Sequence, residues 1–147
     1  MNEQQQPPMS RRGLARRLTV QAVYQWLVNE TPPERLLVQF NEDPGLGRAD
    51  GLYFDELLKG TVRDAGAVTA AFQCHLDRPL EQLDPVERAV LMVGAYELIH
   101  KPEVPWKVVV NEAVNLAKLF GAEESYKYIN GVLDKLARAQ RSTEIGP

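Results

Sequence analysis

Apolar and polar positions follow the period of a helix along almost the whole chain. No stretch between turn signals alternates with the period of a strand. The clearest segment is 104–138. From Trp106 the apolar residues Val109, Val110, Ala113, Val114, Ala117 and Phe120 recur at helical spacing. Pro105 stands at the start, where a proline loses no intrahelical hydrogen bond. Gly121 supplies the left-handed residue that commonly closes a helix. Glu123 and Glu124 then read as the first turn of a second helix, where the dipole favours negative charge. Ile129, Val132, Leu133 and Leu136 fall at i, i+3, i+4 and i+7, one apolar stripe. Asn130-Gly131 is a hairpin signal in isolation, but the apolar period runs through it without a phase shift, so the segment is predicted helical. A glycine inside a helix costs about 1 kcal/mol relative to alanine. That cost points either to close packing against another backbone or to a surface that a partner approaches.

The remaining elements follow from the same pattern. Residues 1–9 are polar with paired prolines and are predicted to form a disordered tail. A first helix spans 10–29. Stepping round it at 100° per residue puts Arg17, Gln21, Tyr24 and Val28 on one stripe, while Leu14, Leu18, Ala22, Val23, Trp26 and Leu27 cover the other sides. A short helix covers 33–40, and 41–51 is a Gly-, Asp- and Pro-rich loop. Asp50 caps a third helix with Leu52, Phe54, Leu57, Leu58 and Val62. A break at 64–67 leads to a fourth, carrying Val68, Ala71 and Phe72. Asp84, Pro85 and Glu87 form a capping-box start. From there to Ile99 the side chains are apolar on nearly all sides, so 85–99 is predicted to be the central helix. Before Pro102 the helical region is disfavoured, which ends it. Residues 140–147 read as a flexible polar tail. The expectation is an all-α, compact single-domain bundle of about seven helices over 10–139.

Composition changes this picture little. The 147 residues suffice for one domain with a real core. A net charge of −3 means that any nucleic-acid binding must come from a local patch. One cysteine, Cys74, excludes an internal disulfide framework and a multi-cysteine zinc site, and by residue type it is expected to be a small core residue. No apolar run is long enough for a membrane span and no signal peptide is present, so a cytoplasmic protein is expected.

Candidate chemistry points to binding, not catalysis. His75 and His100 lack ligand-like spacing, and Cys74 and His75 face different sides of a helix, so neither a metal site nor a nucleophile is expected; no cofactor loop is present. Arg11, Arg12, Arg16 and Arg17 crowd a helix start, where cations oppose the dipole and a phosphate would relieve them. With Gln21 and Tyr24 they suggest a strip for RNA backbone and bases. A solvated face with a snorkelling arginine is the commoner outcome for such a segment taken alone. Tyr126 and Tyr128 frame Lys127, as rings and cations do in readers of single-stranded RNA. Tyr126 lies near the apolar stripe and Tyr128 lies off it.

Four blocks carry a resemblance: VPWKVVVNEAVNLAKLFGAEESYKYINGVLDK at 104–135, LDPVERAVLMVGAYEL at 83–98, RRGLARRLTVQAVYQWL at 11–27 and LYFDELLKG at 52–60. Together they resemble the NusB family of bacterial transcription antitermination factors; 31–51 and both tails match weakly. The resemblance implies an all-helical RNA-binding fold that acts without catalysis. Such proteins join NusE, a small-ribosomal-subunit protein, on the boxA element of nascent RNA. The complex makes RNA polymerase ignore terminators, notably in ribosomal RNA synthesis. A monomer or weak homodimer is expected when the partner is absent. Carried over by position, Arg11, Arg12, Arg16, Arg17, Tyr24 and Tyr128 fall on or near the RNA and partner surface, as do the carboxylates Glu87, Glu123 and Glu124. Glu87 or Glu124 would accept hydrogen bonds from base edges. Trp106 stands where the family commonly has tyrosine and Tyr126 where it has histidine, ring for ring. Two other functions fit the pattern: an accessory domain like that of some RNA methyltransferases, and a protein–protein adaptor with an incidental basic patch. No strand-rich catalytic domain accompanies this chain, so the first would not be an enzyme alone.

Overall fold

Asp84 begins the helix on which the others are built. Its side chain accepts from the Glu87 N–H at 2.9 Å, and the Glu87 carboxylate accepts from the Asp84 N–H at 3.1 Å, with Pro85 at the first helical position. This helix, α5 (Pro85–His100), is buried from Ala89 through Leu98. A helix with no polar side must be surrounded. Five others pack on it: α1 (Arg11–Asn29), α3 (Gly51–Arg63), α4 (Ala65–Gln73), α6 (Trp106–Leu119) and α7 (Tyr126–Gln140). Outside them lie α2 (Pro33–Asn41), against α1 and α3, and the four-residue α8 (Ser142–Ile145), against α7. The structure is a computed structural model that describes residues 9–121 and 124–146. Among the described residues it is all helix and turn, with short 3-10 turns at Pro44–Arg48 and Leu80–Gln82.

Close contacts set the helix directions. A Cβ on Gly94 of α5 would lie 3.0 Å from Leu133 of α7 and 3.6 Å from Ala113 of α6. One turn beyond Gly94, the Leu98 carbonyl meets Arg141, which follows α7. So α5 and α7 run the same way with their starts together, and α6 runs back alongside. Glu87 and Tyr128 therefore share one end of the bundle. At the other end, Tyr96 lies across the backbone of α3: a Cβ on Gly60 would come 2.1 Å from its hydroxyl, so only glycine admits the ring.

Several expectations change. The loop 41–51 contains a 3-10 turn whose start is capped by Asp43, which accepts from the Gly45 N–H at 2.7 Å. Cys74 is exposed and is not a core residue; α4 ends at Gln73, one residue before it, and the chain turns outward. Asn130 and Gly131 lie inside α7, as the unbroken period requires. Packing is not the reason for that glycine, since a Cβ there would meet nothing within 4 Å. Residues 140–147 were expected to form a tail, yet Arg141 is buried. Its guanidinium donates to the carbonyls of Leu98 (2.7 Å), Val104 (2.9 Å) and Lys101 (2.9 Å) and to Glu144 (2.6 Å). Glu144 in turn accepts from the Trp106 N–H at 2.9 Å, at the start of α6. Residues 1–8 and Glu123 lie outside the described residues.

Candidate nucleic-acid interface

The four N-terminal arginines separate by what holds them. Ser10 caps α1, accepting from the Gly13 N–H at 2.9 Å. Arg11 donates to the Ala49 carbonyl at 3.1 Å and stays exposed. Arg12 sits 4.1 Å over the Tyr53 ring and 3.8 Å from Asp50, also exposed. Arg16 is the correction: it is 4% exposed and cannot lie on an RNA surface. Its Nε donates to both oxygens of Glu97, at 2.8 and 3.0 Å, and Nη1 reaches Glu112 at 3.2 Å. Burial disfavours its charge, but the hydrogen bond and charge of Glu97 outweigh that and hold it protonated beyond the ordinary arginine range. The Tyr53 hydroxyl donates to the same carboxylate at 2.5 Å. Burial, then the Glu97 charge, push that phenol far above its ordinary value.

Arg17 differs. It is half-exposed and has no hydrogen-bond or ion-pair partner among the described residues. Gln21 is half-buried on the same stripe, and Tyr24 is 40% exposed one turn further on. The strip predicted from the helical wheel is therefore present, with one uncommitted cation. Val28 continues it as an exposed apolar residue.

A second cluster forms at the starts of α5 and α7. Tyr128 is half-buried, and its hydroxyl accepts from the Asp77 N–H at 3.3 Å. The Arg78 guanidinium lies 4.1 Å over its ring, while Arg78 Nε donates to the Asp77 carboxylate at 2.8 Å. Arg78 also feels the Glu87 charge. The hydrogen bond from Arg78 holds the Asp77 carboxyl below its usual range. Burial raises the Tyr128 phenol above its ordinary value. A ring carrying a guanidinium is a platform on which a base can stack. Arg78 was not found from the sequence, because the 76–83 connection carries no helical period that would relate it to Tyr128. Lys127 is exposed with no partner among the described residues. Tyr126 carries Lys118 at 4.4 Å over its ring.

The carboxylates also divide. Glu87 is buried and spends one oxygen on the cap, so it is not laid open as a base reader. Glu124 is exposed. Glu123 was named as a surface residue and lies outside the described residues. Among the described residues no group of His, Cys, Asp or Glu could hold a metal ion, and no helix is long and apolar enough to cross a membrane.

Comparison with known proteins bears on this arrangement. The model of the NusB family matches residues 14–138. The chain is 50% identical over 139 residues to the transcription antitermination protein NusB of Ralstonia nicotianae, covering 95% of this chain and 90% of that protein. It is also 50% identical over 143 residues to that of Cupriavidus pinatubonensis, covering 97% and 86%. Among solved structures, the crystal structure of antitermination factors NusB and NusE in complex with double-stranded RNA contains a similar chain. The TM-score is 0.79 at 27% identity, over 87% of this chain and 96% of that one.

Proposed function

The chain belongs to the NusB family, and we propose that it is a non-catalytic transcription antitermination factor that binds single-stranded boxA RNA together with NusE in the cytoplasm. The observation that carries the RNA reading is the strip Arg17–Gln21–Tyr24, whose cation has no partner among the described residues. An unpaired guanidinium beside an amide and an exposed ring suits a phosphate, a base edge and a base face in turn. Lys127, Tyr128 and Arg78 extend the surface, with Arg11 and Arg12 contributing charge at the far end of α1. Glu124 supplies the exposed carboxylate that discriminates among bases at a cost in affinity. Arg16 and Glu87 support this surface from beneath. With its RNA and partner bound, the protein acts on elongating RNA polymerase.

The test is binding to a boxA RNA and to a scrambled RNA, with and without NusE, at two salt concentrations. Preference for boxA that NusE strengthens, and that falls steeply with salt, is the expected result. Equal weak binding to both RNAs, unchanged by NusE, would reduce the strip to a solvated face.

A further inference from the structure

Gly131 has no reason within the described residues to be glycine. It lies inside α7, is exposed, and a Cβ there would meet nothing within 4 Å. The helix is less stable with glycine than it would be with alanine. What surrounds it is directional. Lys127 and Lys135 stand four residues before and after it, and Tyr128 three before, so all four share one outward stripe. Both lysines are exposed and have no partner among the described residues. They are about 12 Å apart along the axis, with bare backbone between them. Asp134, three residues after Gly131, lies on the same stripe, but Arg138 engages it at 3.0 Å, so the two lysines remain as the uncompensated charges. At its upper edge it runs into the Tyr128–Arg78 stack.

We propose that the sugar–phosphate backbone of a single-stranded RNA closes on α7 at Gly131. Lys127 and Lys135 hold phosphates on either side, and a base is carried toward the Arg78–Tyr128 platform. The inference rests on the RNA-binding reading above and adds the track that the strand follows. The charge of the stripe favours a polyanion. A bare glycine between two cations favours a strand that comes close to the helix, because a side chain there would stand between the strand and the α7 backbone.

The test is Gly131→Ala in the full chain, alongside Lys135→Ala. Thermal unfolding and binding of fluorescent boxA RNA in the presence of NusE are measured at two salt concentrations. Gly131→Ala is expected to raise Tm by about 3 °C and to weaken RNA binding about tenfold. Lys135→Ala is expected to leave Tm unchanged and reduce the salt slope by about one. A Gly131→Ala protein that is more stable and binds RNA as well as the parent overturns the proposal. So does a loss of NusE binding measured without RNA, which would make the stripe a protein-docking face. If the parent chain itself shows no RNA binding, the broader reading fails as well, and that result is distinct from the first two.

Discussion

Arg16 and Glu97 meet inside the protein, Nε donating to both carboxylate oxygens at 2.8 and 3.0 Å, with each side chain at most 5% exposed. The pair joins α1 to α5, and Tyr53 and Glu112 complete it from α3 and α6. Removing one member leaves the other charged and buried. Arg16→Ala is therefore expected to cost about 3–5 kcal/mol, read from urea unfolding, and to reduce RNA binding only through loss of folded protein. Arg17→Ala, next in sequence, is expected to change stability by under about 0.5 kcal/mol while weakening RNA binding in the folded state. Equal stability loss for both would refute the division between them.

Tyr53 makes stability depend on alkaline pH. Its phenol is raised in the folded protein by burial and by Glu97. The native state therefore keeps the proton when the unfolded chain, near its ordinary value of about 10, releases it. The stabilisation is full below pH 10 and is lost as pH rises beyond it. Unfolding free energy measured from pH 8 to 11 is expected to fall more steeply for the parent than for Tyr53→Phe. The variant should also start lower by about 1–3 kcal/mol at pH 8, since Glu97 loses a buried donor.

Arg78 separates charge from stacking. Arg78→Ala is expected to weaken boxA binding about fivefold, the equivalent of about 1 kcal/mol for a stacked cation. Arg78→Lys keeps the charge but not the planar face that lies on Tyr128. It should restore the salt dependence but not the full affinity. Titrations at two salt concentrations distinguish the terms; full affinity in Arg78→Lys would mean the stack contributes nothing.

Arg141 ties the end of α5 to the start of α6 through backbone carbonyls and Glu144. Hydrogen bonds from a charged donor contribute about 1.5–3 kcal/mol each when made, and their buried acceptors are left unsatisfied when it is lost. Arg141→Ala, or a chain ending at Gln140, is expected to lose about 2–4 kcal/mol in denaturant unfolding. A truncation that unfolds like the parent would restore the reading of this segment as a tail.

The fold was largely legible because the signals were local. Asp84-Pro85-Glu87 starts α5 by rules that operate within four residues, and the stripe through Asn130-Gly131 outvotes a dipeptide. What could not be read were partners distant in the chain. A helical wheel assigns Arg16 and Arg17 alike to a basic helix start; only Glu97, 81 residues away, makes one of them a core residue. Arg141 looked like tail because its acceptors are carbonyls, which no residue type announces. Cys74 was misplaced because burial was inferred from amino-acid type, while α4 stops one residue earlier. Tyr128 lies off the apolar stripe, and the guanidinium stacked on it comes from a connection with no periodic signal.

The buried arginine also orders events during synthesis. Arg16 leaves the ribosome early, but its carboxylate partners are 81 and 96 residues further along. Until they emerge, α1 holds a cation that no element present can neutralise, and burying it would be prohibitively unfavourable. Docking of α1 therefore waits until α5 and half of α6 have been made. Nascent chains halted before Glu97 are expected to leave Arg11–Asn29 open to protease, and chains extended past Glu112 to protect it.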